Sequence, residues 1–471
     1  MWNAEQLANG LLTDLYHVDS AYVSWRTGHN GLTTFDLYTR QNPFDSAYML
    51  VAGLELAVTF AREFHYTDEQ IDYLKRVKPF EAAFYEELRH TRFTGEMLAM
   101  PEGEIGFAPE PLVRVTAPFR EALLLEAGLL HTISLSTLLA TKAARVLAAA
   151  QGKPVAEFAF RRAQEPYIVA RSGWIAGCAS TSFVAAAQAF DIPTSGTIPH
   201  ALIQAFPTEA DAFLAVAESL PQYTLLLDTY NVERAVHTAV EVAISARARL
   251  GHVMTGVRLD SGDLIGQSWY VRRVLDEAGL TDVIILVSGD LDEYRVAELV
   301  VSGAPIDAFG VGTAMGVGAG SVKHGVSGGA LGGVYKLVWY DVDEDQHAGA
   351  DEAPIKVAGV KSTWPGKKQV SRIGNFQGDI IHGEGESAPS DSRPLLQPAI
   401  SGGMVIPGAL PPLDEIRERA VANLAALPEQ YKALEHPAEY PVCFSEHLRA
   451  MRQRAIELHK DRIEAAESAA D

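Results

Sequence analysis

The feature that most constrains this chain is a repeat running from about residue 155 to residue 340. Short apolar runs alternate there with amphipathic stretches at a spacing of roughly 25 to 30 residues. Residues 224–227 form one run, and a helical pattern follows from Val232 to near Gly251. Residues 253–259, 283–287, 306–311 and 333–339 are further runs. Between them, 267–277 and 291–301 carry helical periodicity and stop at Gly279 and Gly303. Strands alternating with helices at this spacing argue for a parallel sheet, and this many units for a barrel.

Polar residues gather where each run ends. Thr197 and His200 come first, then Asp228, then Arg258, Asp260, Ser261 and Asp263. Ser288, Gly289 and Asp290 follow, and Gly310, Gly312 and Thr313 close the series. In a parallel barrel all these ends open on one face, where barrel enzymes build their sites. An Asp after a strand is also an ordinary helix cap, so one such end means little. Five consecutive ends that include a histidine and an arginine point to an active site. The glycines of 288–290 and 309–313 suit either phosphate binding or tight turns. Arg161 and Arg162 are adjacent, and alternation across a strand would aim only one of them, taken as Arg161, at the site. Arg161 and Arg258 are the cations expected to hold an anionic substrate. For His200, nucleophilic and general acid–base roles are both open.

The flanking segments differ. Residues 33–38 read as a strand, 45–64 as a helix with a stripe at Met49, Leu50, Leu54, Ala57 and Val58, and Thr67 with Gln70 as a capping box. Residues 121–150 read as one Ala- and Leu-rich helix, with Ser134, Ser136 and Thr137 marking a face that meets another domain or subunit. Residues 341–354 read as an acidic loop, 355–373 as strands around a Pro365–Gly366 turn, and the tail from Asp414 as helical. The expected organisation is an α/β N-terminal domain over 1–125 that shares parts of a C-terminal lobe, a barrel over 126–340, and a C-terminal extension over 341–471.

Thirty-nine basic against sixty acidic residues give a net charge of −21. Such a surface repels nucleic acid and anionic lipid at long range, so neither partner is expected. The apolar stretch 122–150 is broken by Glu126, His131, Lys142 and Arg145, which argues against a membrane span. Residues 1–6 lack a basic region ahead of an apolar one, so no leader is expected and the location is read as cytoplasmic. Cys178 and Cys443 are too few for a disulfide framework or a structural zinc site, and both read as packing residues.

In order along the chain, residues 11–16 (LLTDLY), 161–164 (RRAQ), 195–200 (SGTIPH), 257–263 (VRLDSGD), 309–313 (FGVGT), 333–337 (GVYKL), 365–369 (PGKKQ) and 394–397 (PLLQ) resemble nicotinate phosphoribosyltransferases. The resemblance implies an irregular αβ barrel between an α/β N-terminal domain and a C-terminal extension. It implies transfer of a phosphoribosyl group from phosphoribosyl pyrophosphate to nicotinate, with ATP as co-substrate and Mg²⁺ accompanying the phosphates but no dedicated protein metal site. His200 would then be the phosphorylated histidine, Thr197 and Arg258 nicotinate contacts, and Arg161 the adjacent family arginine. Phe158 and Tyr16 would sandwich the pyridine, Tyr16 coming from the second subunit of a homodimer with shared sites. Asp260 would meet the ribose hydroxyls, and Ser288, Gly289, Gly310, Gly312 and Thr313 would cradle the 5′-phosphate. Ser182 falls where nicotinamide-using relatives carry an aspartate. The chain departs from the family pattern at His17, Ala159 and Pro199. A nicotinamide-using enzyme of the same fold and a non-catalytic phosphosugar-binding barrel are the alternatives.

Overall fold

The computed structural model describes residues 9–341, 354–356 and 363–468. The opening residues and nearly all of the expected acidic loop lie outside these. The chain divides into two compact units, Met1–Leu138 with Ala330–Asp471, and Leu139–Gly329. The first boundary falls inside the helix Glu126–Ala150 rather than at residue 125.

The first unit is built on a six-stranded antiparallel sheet, in the order Gly333–Tyr340, Leu32–Thr39, Pro111–Pro118, Glu96–Ala99, Gln397–Ser401 and Met404–Val405. Strands from both ends of the chain therefore share one sheet, and the C-terminal residues do not form a unit of their own. The run at 333–339, expected as a further barrel strand, pairs instead with Leu32–Thr39. Within that pairing Tyr335 stacks on Phe35 at 4.7 Å in the core. A four-stranded sheet of Ser392–Pro394, Lys368–Ile373, Gly378–Gly383 and Val442–Phe444 completes the unit.

Several local expectations need correction. The helix expected over 45–64 begins only at Leu54. Met49–Leu50 is a short strand paired with Ile105–Gly106, and Gly53 between them has φ +99°. A Cβ at Gly53 would lie 2.5 Å from the Thr132 carbonyl oxygen, so the chain turns there where only glycine fits. The helix expected over 121–150 is two, Phe119–Leu124 and Glu126–Ala150. Its polar face serves its own unit: the Thr137 hydroxyl donates to Ala52 O at 3.1 Å and accepts from Ala52 N at 3.2 Å. The Glu126–Ala150 helix is long and apolar enough to cross a membrane, yet 78% of its most apolar stretch is buried, as in a core helix. The capping box is present, with Gln70 N donating to Thr67 Oγ1 at 3.3 Å and Thr67 N to Gln70 Oε1 at 3.1 Å. Cys178 is buried, whereas Cys443 is exposed on an edge strand rather than packed.

The second unit carries the parallel repeat. Its strands are β1 (Val155–Glu157), β2 (Ser180–Thr181), β3 (Gln222–Leu226), β4 (Val253–Leu259), β5 (Ile284–Val287) and β6 (Ala308–Val311). Their order is β2-β1-β6-β5-β4-β3, every pair parallel. This is the cyclic order of a barrel with one pair missing, so the sheet curls into a half-barrel open between β2 and β3. Across the opening Thr181 makes a single parallel bridge with Thr194. The helices between strands are amphipathic: α1 (Val232–Leu250) buries Val232, Ala235, Val236, Ala239, Val242, Ala243 and Ala246, a stripe at three- and four-residue steps. Asn231 caps its start, and Gly251 at φ +72° ends it.

Candidate active site

The polar residues meet around Arg258, at the end of β4. Its Nε donates to Ser288 Oγ at 2.7 Å, Nη1 to Thr197 Oγ1 at 2.9 Å and Nη2 to Asp260 Oδ1 at 2.5 Å. The Ser288 hydroxyl also donates to Asp260 Oδ1 at 2.5 Å. Burial works against the Asp260 charge, but the Ser288 hydrogen bond and the Arg258 guanidinium outweigh it and hold the carboxyl below the usual range. Asp260 Oδ2 faces His200 Nε2 at 3.8 Å. The other ring nitrogen, Nδ1, is hydrogen-bonded to Thr229 Oγ1 at 3.1 Å.

Two cavities adjoin this cluster. One, of about 260 Å³, is lined by Phe158, Phe160, Arg161, Ser182, residues 196–200, Arg258 and Asp260. Aromatic walls with an arginine on the rim fit a small planar anion. The other, of about 210 Å³, is lined by Arg161, Arg162, Ser288, Gly289, Asp290, Gly310, Gly312 and Thr313, together with Phe158, Arg258 and Asp260. It is polar, with three arginines and three glycines on its walls, as a phosphate site requires. A Cβ at Gly289 would lie 1.8 Å from the Asp260 carbonyl oxygen, and φ there is +90°. A Cβ at Gly310 would lie 2.5 Å from the Phe158 ring. Glycine at these positions lets one loop cross another.

Of the residues given individual substrate or catalytic roles, all but Tyr16 lie on these walls; of the other strand-end residues, Asp228, Ser261 and Asp263 do not. Tyr16 is on the helix Leu15–Thr27 of the first unit, 55% exposed. Arg162 lines the second cavity beside Arg161, against the alternation expected; residues 160–162 form a turn, where strand alternation does not apply. The aspartates also separate. Asp263 and Asp292 cap helices by accepting from Gly266 N and Arg295 N. Asp228 caps nothing, and its Oδ2 accepts from Ser261 Oγ at 2.6 Å and from Asp260 N at 3.2 Å. Its Oδ1 is buried without a hydrogen-bond partner.

Two residues escaped the sequence reading. Thr229 carries no signal that separates it from an ordinary loop threonine. Glu157 does: it is a lone acid at the end of an apolar strand, 1% exposed, directly before Phe158.

Comparison with known proteins agrees along the chain. Residues 11–134 match the nicotinate phosphoribosyltransferase N-terminal domain and residues 374–452 the nicotinate phosphoribosyltransferase C-terminal domain. The chain is 39% identical over 469 residues to nicotinate phosphoribosyltransferase pncB2 of Mycobacterium tuberculosis, covering 98% of this chain and 96% of that one. It is 37% identical over 484 residues to nicotinate phosphoribosyltransferase of Bacillus subtilis, covering 96% of each. The crystal structure of human nicotinic acid phosphoribosyltransferase superposes with a TM-score of 0.81 at 29% identity, covering 94% of this chain and 99% of that chain.

Proposed function

The chain belongs to the nicotinate phosphoribosyltransferase family, and from this premise we propose that the strand-end cluster of the half-barrel is its active site. The protein is a nicotinate phosphoribosyltransferase of NAD salvage: it forms nicotinate mononucleotide and pyrophosphate from nicotinate and phosphoribosyl pyrophosphate. The observation that carries the site assignment is the shared wall. Arg258 and Asp260 line both cavities, so a planar anion in one is brought beside a phosphosugar in the other.

In this reading nicotinate lies against Phe158, its carboxylate toward Arg258 and Thr197, with Arg161 at the rim. The 5′-phosphate takes the glycine-lined cavity formed by Ser288, Gly289, Gly310, Gly312 and Thr313. As the bond from C1 to pyrophosphate breaks, positive charge develops on the ribose. Asp260, held ionised by two donors, Arg258 Nη2 and Ser288 Oγ, and anchored by its own N–H to Asp228 Oδ2, stabilises that charge without reorganising. The ring nitrogen of nicotinate then bonds to C1, and pyrophosphate leaves with the electron pair. Ser182 leaves the first cavity without the acid that would repel a carboxylate.

ATP use is part of the proposal. The His200 imidazole attacks the γ-phosphorus, ADP leaves, and water later hydrolyses the phosphohistidine. The thiols of Cys178 and Cys443 are both free, which accords with a cytoplasmic location. Among the described residues no three His, Cys, Asp or Glu form a metal-holding group. Mg²⁺ keeps water and substrate phosphates as ligands, and Asp228 would fit it by its unpaired, buried Oδ1. The ion would neutralise phosphate charge. Tyr16, an exposed aromatic in the first unit, would complete the pyridine sandwich across a homodimer.

The test is mononucleotide formation from nicotinate and from nicotinamide, each with and without ATP, for the protein and for His200→Ala incubated in parallel with γ-labelled ATP. The protein should prefer nicotinate, and the variant should lose ATP hydrolysis and acid-labile labelling while keeping slow transfer at high substrate. A labelled His200→Ala protein would assign the phosphate to another residue. Loss of all transfer in folded variant would place His200 at C1 instead.

A further inference from the structure

Glu157 takes no part in the chemistry above, yet it is buried at the root of the nicotinate cavity. Its carboxylate accepts from Ala159 N, in the turn that presents Phe158, Phe160 and Arg161. It also accepts from the Thr181 hydroxyl at 2.5 Å. Thr181 Oγ1 in turn accepts from Phe183 N at 3.1 Å, so the chain of bonds brackets Ser182. The two loops also close on each other, because Phe160 stacks on Phe183 at 4.1 Å and 8°. Thr181 reaches a third segment through its backbone. Its N–H donates to Pro193 O at 3.0 Å and its carbonyl accepts from Ser195 N at 3.1 Å, just before Thr197 and His200.

A buried carboxylate is costly unless donors satisfy it, and here the donors come from separate loops. A strand end this short, three residues in β1 and two in β2, supplies few ladder bonds to fix those loops. We propose that Glu157 is a positioning residue that fastens the Phe158–Arg161 turn to the Thr181–Phe183 turn and so sets the width of the nicotinate cavity. This rests on the site assignment above. Glu157 touches no substrate; it acts through Phe158 and Ser182. Gln in its place can still accept from Ala159 N, but its amide can only donate to the Thr181 oxygen, which reverses that bond and removes its charge, so the fastening weakens on one side.

The expected signature is a split between kinetic constants. Glu157→Gln should raise KM for nicotinate about tenfold while kcat stays within about threefold and KM for phosphoribosyl pyrophosphate is unchanged. Thr181→Val, which removes the same bond from the other side, should do likewise. The double variant should be no worse than Thr181→Val alone, which already removes that link together with the Phe183 N–H bond. If Glu157→Gln fails to fold, Thr181→Val carries the test, since it leaves the carboxylate bonded to Ala159. An unchanged KM for nicotinate in an active, folded variant overturns the proposal, as does an equal loss for both substrates or full additivity. Wild-type protein that makes no mononucleotide would instead defeat the site assignment beneath it.

Discussion

Arg258 and Arg372 use the same chemistry in two regions and to opposite ends. Arg372, in the first unit, is 1% exposed on the strand Lys368–Ile373. Its Nε donates to both oxygens of Asp379 at 3.0 and 3.2 Å, Nη1 to Glu104 at 2.9 Å, and Nη2 to Ile105 O and Asp379 at 2.7 Å each. Phe376 lies under the guanidinium at 4.6 Å. Arg258, in the half-barrel, has a side chain 14% exposed and three bonds, each to a different residue. Two of its five N–H groups have no protein partner among the described residues, and the side chain borders both cavities. An arginine buried in the core and bonded through four of its five N–H groups holds a fold together. One left partly unsatisfied on a cavity wall is poised for a ligand.

Variants can break or sharpen that contrast. The largest expected effect is on Arg372→Met, which strands Asp379 without its cation, leaves Glu104 only Arg393, and should cost about 3–5 kcal/mol of stability by denaturant unfolding. Nicotinate turnover per folded molecule should stay close to normal. A parallel loss of turnover would show that this arginine, too, serves the chemistry. Next comes Ser182→Asp, which places a like charge on the nicotinate cavity. It should weaken nicotinate about 30-fold, roughly 2 kcal/mol, and improve nicotinamide, both read from competition for the site. Unchanged selectivity would remove Ser182 from the wall.

The smallest effect at any one pH belongs to Glu110, beside Asp379 in the buried cluster. Burial and then the Asp379 charge push its carboxyl well above the usual range. Between the ordinary glutamate value and the raised one, the folded state keeps a proton that the unfolded state releases. Stability should therefore fall as pH rises through that window, by at most about 1.4 kcal/mol per pH unit. Glu110→Gln has no proton to lose and should flatten the slope, as melting at several pH values would show. An identical slope in both proteins would place the linkage elsewhere.

The half-barrel was legible because its strands are short, apolar and punctuated by glycine, and because Arg258, Asp260 and Ser288 fall at strand ends; Thr197 and His200 lie instead on the loop and helix start that follow the Thr194 bridge. The first unit was less so. Its sheet mixes strands from residues 32–39 and 333–340, and no local pattern records a pairing over that separation. The 333–339 run was assigned to the barrel because an apolar run does not state its partner. The Asp263 and Asp292 caps look in sequence just like the site aspartates Asp228 and Asp260; only the fold separates them. Glu157 was passed over because its function lies in its neighbours. A buried acid advertises itself only once Ala159 N and the Thr181 hydroxyl are seen to converge on it.

The central claim is that Arg258 belongs to the ligand and Arg372 to the fold. The most direct test is equilibrium binding of nicotinate to the protein and to Arg258→Lys, with the melting temperature of each recorded alongside. Lysine keeps the charge but cannot reach Ser288, Thr197 and Asp260 together with a carboxylate. Affinity should fall by about tenfold or more while the melting temperature moves by no more than about 2 °C. Unchanged affinity, or a melting loss as large as that of Arg372→Met, would contradict the account.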